Sequence, residues 1–187
     1  TSPPSLYILA GSSRYCVFGE EHDPHTSTIK TTILAIHEHC EALLVEPPNT
    51  TTCIVMPHGG PNSNYVDEYQ PLLSLLLSKG FALCRINYTG STGYTSESIR
   101  ALIDKQNVGI LDVADCKSVA DHVQEMHGYT KLLFDGGSHG GYLGAMLTSQ
   151  YPSLFSKAIL VNPVIAMWAN CVASDINDYV WHNLGLE

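Results

Sequence analysis

At 187 residues, 44% hydrophobic and 14% charged, the chain has the length and composition of one globular domain with its own core, which excludes a disordered or low-complexity protein. Its formal net charge of −9 excludes nucleic acid and an anionic membrane surface as the main partner, because both are held by clustered Lys and Arg. The longest apolar run, near residues 72–77, falls far short of a membrane span.

The chain starts Thr1-Ser2-Pro3-Pro4, with no initiator Met and no basic leader, so either the N-terminus is processed or the sequence is a piece of a longer chain. Strand-like pieces at 6–9 and 14–18, split by Gly11-Ser12-Ser13, read as the end of another unit. Strands are expected at 28–36 and 42–45. Between them, His37-Glu38-His39-Cys40-Glu41 has zinc-ligand types. Alternate strand positions put only two of these on one face and no third ligand is signalled, so the segment reads as a surface strand. Pro47-Pro48-Asn49-Thr50 then breaks the chain before a strand at 53–56.

From Cys53 onward strands alternate with helices. Residues 69–79 read as a helix closed by Gly80, and 81–86 as a buried strand, followed by a Gly/Ser/Thr loop at 88–94. Residues 112–127 form the clearest helix, with Val113, Cys116, Ala120 and Val123 on one apolar stripe. A strand at 131–135, a helix at 140–150 ending before Pro152, and a strand at 157–161 complete the pattern. This alternation implies a mostly parallel sheet with helices on both faces. Six cysteines, none in a C-x-x-C pair and several within apolar runs, read as free and buried, which points to a reducing, cytoplasmic setting. The sequon matches at Asn49 and Asn87 carry little weight, since the second ends an apolar strand.

The chemistry sits at Gly136-Gly137-Ser138-His139-Gly140. Read as G-x-S-x-G between a strand and a helix, it has the order of a nucleophile elbow, a strained turn that lifts a serine hydroxyl to the top of a sheet. Ser138 is the candidate nucleophile. An acyl-transfer oxyanion needs preorganised donors: one is the backbone N–H of His139, and the other is expected from Pro57-His58-Gly59-Gly60-Pro61, which follows strand 53–56. His58 itself either lines the pocket or bonds within its own turn. The His139 ring is expected to matter less than its backbone. His22, His25, His122 and His127 read as solvated surface.

The general base and its carboxylate are the gap. In this architecture the chain order is Ser, then acid, then His, with the last two on loops after further strands. Only 49 residues follow Ser138, with Asp175, Asp178, Glu187 and His182 among them and one strand candidate. Asp175, Asp178 and His182 therefore read as local surface or pocket residues.

His58-Gly59-Gly60-Pro61, then Asn87-Tyr88-Thr89-Gly90-Ser91-Thr92-Gly93-Tyr94, then Asn107-Val108-Gly109 with Asp112-Val113-Ala114-Asp115, then residues 136–141 and Asn162-Pro163-Val164 stand in an order that closely resembles the acylaminoacyl peptidases of the prolyl oligopeptidase family. The resemblance implies an α/β-hydrolase fold, C-terminally truncated here: residues 26–187 are the N-terminal part of a catalytic domain, and 1–25 the remnant of a preceding domain, a β-propeller in the family, or a linker. It implies Ser138 as nucleophile, Gly60 and His139 as oxyanion donors, no metal or cofactor, short N-acylated peptides as partners, and a homo-oligomer in the full-length protein. The family's Asp and His would lie beyond Glu187, which makes this stretch inactive alone. The family's usual Arg is Thr89 here, which predicts weaker packing or charge pairing in that loop. An α/β-hydrolase esterase and a non-catalytic truncated product are the rival readings.

Overall fold

The computed structural model of the chain describes residues 6–10, 13–18 and 29–183. Strands β1 (Leu6–Ala10) and β2 (Ser13–Phe18) form an antiparallel pair in a sheet of their own. The second sheet holds β3 (Lys30–His37), β4 (Cys40–Glu46), β5 (Thr52–Pro57), β6 (Ala82–Asn87), β7 (Lys131–Gly137) and β8 (Lys157–Val161), in the order β3-β4-β6-β5-β7-β8. The β3–β4 and β4–β6 pairs are antiparallel, and the remaining three are parallel.

The helices are α1 (Pro71–Ser78), α2 (Ser96–Leu102), α3 (Leu111–His127), α4 (His139–Gln150), α5 (Met167–Ala173) and α6 (Asn177–Asn183). Pleat alternation sorts the apolar residues of the central strands onto two faces. Cys53 and Val55 of β5, Cys84 and Ile86 of β6, and Leu132 and Phe134 of β7 join Val119 and Val123 of α3 and Leu143 and Leu147 of α4 in the larger core. Ile54, Met56 and Leu83 point the other way and meet Leu73 of α1. Helices thus cover both faces, as the α/β-hydrolase reading requires.

Differences from the sequence reading are local. Pro71 opens α1, two residues later than expected, because proline fits the first helical turn, where its missing N–H costs nothing. Residues 38 and 39 are a turn between β3 and β4, so His37 and Cys40 face each other across a hairpin and do not share one strand. His127 is not solvated surface: it is half-buried, 3.6 Å from Glu46 and stacked on Tyr129. His22 and His25 lie outside the described residues, as does most of the 1–25 segment. Cys40, Cys53, Cys84 and Cys116 are free and buried, as expected. Asn87 is buried with its amide paired to the Tyr65 backbone, which leaves no room for a glycan. No described helix is long and apolar enough to cross a membrane.

Candidate active site

Ser138 sits between β7 and α4 with φ 54° and ψ −120°. A non-glycine residue adopts that backbone only when its surroundings force it. Three hydrogen bonds do so: its N–H donates to Val161 O at 2.9 Å, and its carbonyl accepts from Tyr142 N at 3.0 Å and Val164 N at 3.3 Å. The Asn162-Pro163-Val164 motif thereby braces the turn. Close backbone approach explains the flanking glycines. A Cβ on Gly136 would lie 2.5 Å from Gly140 O, and one on Gly140 would lie 2.5 Å from Pro57 O. Ser138 remains partly exposed.

The glycine-rich loop after β5 lies directly against this turn. A Cβ on Gly59 would stand 3.5 Å from Ser138 Cβ and 3.4 Å from Gly137 O. The structure therefore brings Ser138, the first N–H of α4 at His139 and the Gly59–Gly60 segment to one place at the C-terminal ends of parallel strands. Gly60 has φ 126°, which a side chain would strain, and an added Cβ would meet Asn62 N. Its amide can turn toward the elbow because no side chain stands in the way.

Two buried histidines hold these pieces. The His139 ring is fully buried, and its Nε2 lies 2.8 Å from Asp112 Oδ2. Asp112 Oδ1 accepts from Gly109 N at 2.7 Å and from its own helix at Val113 N. The start of α3 is thus tied to the start of α4, a role for this ring that reading His139 by its backbone alone missed. His139 Nδ1 has no hydrogen-bond partner among the described residues. His58, also buried, bonds within and beneath its own turn. Its Nδ1 lies 2.6 Å from Gly59 O and its Nε2 2.7 Å from Ser91 Oγ. Burial lowers its pKa to about 4.

The Thr89 loop is not left without a charge partner. The Thr89 N–H donates to Asp115 Oδ2 at 2.8 Å, and His37 Nε2 reaches Asp115 Oδ1 at 2.8 Å. With Cys40 these make a trio whose ligand atoms lie within 4.8 Å of one another, the third ligand type that the sequence did not signal. The bonding already present does not suit a metal. The His39 N–H donates to His37 Nδ1, so the ring proton sits on Nε2 facing the carboxylate. Burial and the neighbouring Asp115 push the Cys40 thiol up, away from thiolate. His37 and Asp115 are read as a hydrogen-bonded pair with the Cys40 thiol beside them.

Asp178 and His182 lie exposed on α6, and Asp175 precedes it, also exposed. Among the described residues no strand follows β8. Arg85 is the buried charge that sequence reading passed over: it donates to Val66 O at 2.8 Å and lies over the Tyr65 ring, on the face opposite α3 and α4.

Comparison with known proteins agrees with this geometry. The acylamino-acid-releasing enzyme of Sus scrofa is 39% identical over 156 residues, 79% of this chain and 21% of that protein. That of Arabidopsis thaliana is 37% identical over 128 residues, 67% of this chain and 16% of that protein. The chain thus spans about a fifth of the length of the curated relatives it matches. Among solved structures, an acylaminoacyl peptidase of Pyrococcus horikoshii superposes with a TM-score of 0.76 at 19% identity, covering 98% of this chain and 32% of that one. A puromycin hydrolase gives 0.71 at 24% identity, covering 92% and 29%. These two show the α/β-hydrolase fold. The model of the prolyl oligopeptidase family matches residues 68–185, a stretch that contains the whole strand, elbow and helix, and the chain therefore belongs to that family of serine peptidases.

Proposed function

We propose that the protein bearing these residues is a serine peptidase that releases an N-acylated amino acid from the N-terminus of short peptides. The observation that carries the reading is the strained, partly exposed Ser138 with the Gly59–Gly60 loop seated against it. Ser138 Oγ attacks the carbonyl of the acylated residue, and its proton passes to a histidine base. The Gly60 and His139 amides hold the oxyanion. Collapse of the tetrahedral adduct expels the peptide amine, which takes the proton, and water then releases the acyl group from Ser138.

The acid and base come from chain outside residues 1–187, because Asp175, Asp178 and His182 stand on or beside one short helix, with no further strand among the described residues to place them. Residues 1–187 alone are therefore inert. No cofactor or metal enters these steps. The protein works in the cytoplasm, on peptides and not on nucleic acid or membranes, and as a homo-oligomer. Names of relatives such as acylamino-acid-releasing enzyme support the choice of substrate.

The test is a comparison of substrates in the full-length protein. An N-acetylated tripeptide should lose its acylated residue while the same peptide with a free amine stays intact. Cleavage of a simple aryl ester with no release from the acyl-peptide would overturn the peptidase reading in favour of an esterase.

A further inference from the structure

We propose that Asn162 is a positioning residue for the nucleophile: its left-handed backbone turns the Val161 carbonyl and the Val164 amide onto Ser138 together. The inference rests on the reading of Ser138 as the nucleophile. It starts from a conflict in the chain. Asn162 has φ 39°, in the left-handed region. Pro163 follows it, and a proline pushes the residue before it toward extended backbone. Asparagine enters the left-handed region more readily than most residues, yet here it does so against its neighbour. Such a conflict persists only when contacts from elsewhere in the fold hold it.

Those contacts are with the elbow. Strand β8 ends at Val161, and the chain bends at Asn162. In a closed β-turn the carbonyl of the first residue accepts from the amide of the fourth. Here that carbonyl, Val161 O, accepts from Ser138 N at 2.9 Å, and that amide, Val164 N, donates to Ser138 O at 3.3 Å. The bend is an open clamp with Ser138 between its jaws. Pro163, having no N–H, brings no rival donor into it. The bend also lies close on the first turn of α4: a Cβ on Gly141 would stand 3.0 Å from Pro163 Cβ and 3.1 Å from Pro163 Cα.

The Asn162 side chain has no part in the clamp. It is exposed and makes no hydrogen bond among the described residues. The position requires a backbone shape. An extended residue at 162 would carry β8 straight on and draw Val164 away from Ser138. The consequence reaches two catalytic groups. The Ser138 carbonyl and the His139 N–H belong to one planar trans peptide unit and point in opposite directions. Holding the Ser138 N–H and carbonyl therefore orients the residue that carries the hydroxyl and aims the neighbouring oxyanion donor.

Glycine and valine separate backbone shape from side chain. Asn162→Gly keeps the left-handed region open, whereas the β-branched residue of Asn162→Val closes it. In the full-length protein Asn162→Val should lose about 10- to 100-fold in kcat with KM nearly unchanged, the scale of a small misplacement of reacting groups. A fluorophosphonate should label Ser138 more slowly by the same factor. Asn162→Gly should recover most of both, which loss of an ordinary surface side chain would not explain. Hydrogen exchange over residues 136–141 should quicken in Asn162→Val and not in Asn162→Gly, because the Ser138 N–H loses its acceptor. Should Asn162→Val fail to fold, Asn162→Ala carries the same comparison: its kcat should fall below that of Asn162→Gly, and equality would overturn the inference. Equal kcat in wild type and Asn162→Val, a loss in Asn162→Gly as large as in Asn162→Val, or unchanged exchange in Asn162→Val would each overturn it too. No turnover and no labelling in the wild type, with the exchange as expected, would instead overturn the peptidase reading and leave the clamp standing.

Discussion

Ser138 and His58 are two of the residues at which this chain stores cost. Holding a non-glycine residue at positive φ costs about 1–3 kcal/mol, and here the Val161, Tyr142 and Val164 hydrogen bonds fix it. Burying an imidazole costs in a different way, through pH. The His58 pKa is about 4 when folded against 6.5 for an ordinary ring, so the unfolded chain binds the extra proton between those values. The folded state is therefore disfavoured as pH falls from about 6.5 toward 4, by a total of about 3 kcal/mol, and the loss levels off below that. Urea unfolding of wild type and His58→Asn at pH 7 and pH 4.5 should show the wild type losing stability relative to the variant at the lower pH. A constant difference would mean that the ring is not buried neutral. The sequence offered His58 two roles, and the structure selects bonding within the turn. The choice was hidden because the partner, Ser91, lies 33 residues away. The same holds for His139 with Asp112, 27 apart, and His37 with Asp115, 78 apart. Periodicity reports which face a residue is on, and it is silent about which distant side chain waits there.

The elements that read clearly are the ones buried on both sides. Strands β5, β6 and β7 are dominated by apolar residues because helices cover both faces of a parallel sheet, with Arg85 of β6 the charged exception inside the run. Helix α3, 17 residues long, gave its stripe away, whereas α2, α5 and α6 have seven residues each, too few to show a period. Helix α1 shows how unevenly an element contributes. Leu73 is its one buried residue and meets Ile54, Met56 and Leu83, while Leu75 is 52% exposed. Leu73→Ala should cost about 2–5 kcal/mol in chemical denaturation. Leu75→Ala should stay within about 0.5 kcal/mol. Equal effects would mean that α1 does not cap that face as described.

Across the whole molecule, four separated motifs converge on one turn. The His58 loop abuts it, the Tyr88–Ser91 loop holds that loop, Asp112 anchors the helix that leaves the turn, and Asn162-Pro163-Val164 braces its carbonyl. Their order along the chain was legible, and so was the fold that such an order serves. Their mutual contacts were not, since each arises only when the sheet brings strand ends together. The central claim is that this convergence exists to present one hydroxyl for acyl transfer. Replacing Ser138 with Ala in the full-length protein, and following release of an N-acetylated residue from a short peptide alongside the thermal unfolding midpoint, tests it most directly. The account predicts that turnover falls to background while the midpoint stays at or above that of the wild type; turnover unchanged by the substitution would contradict it.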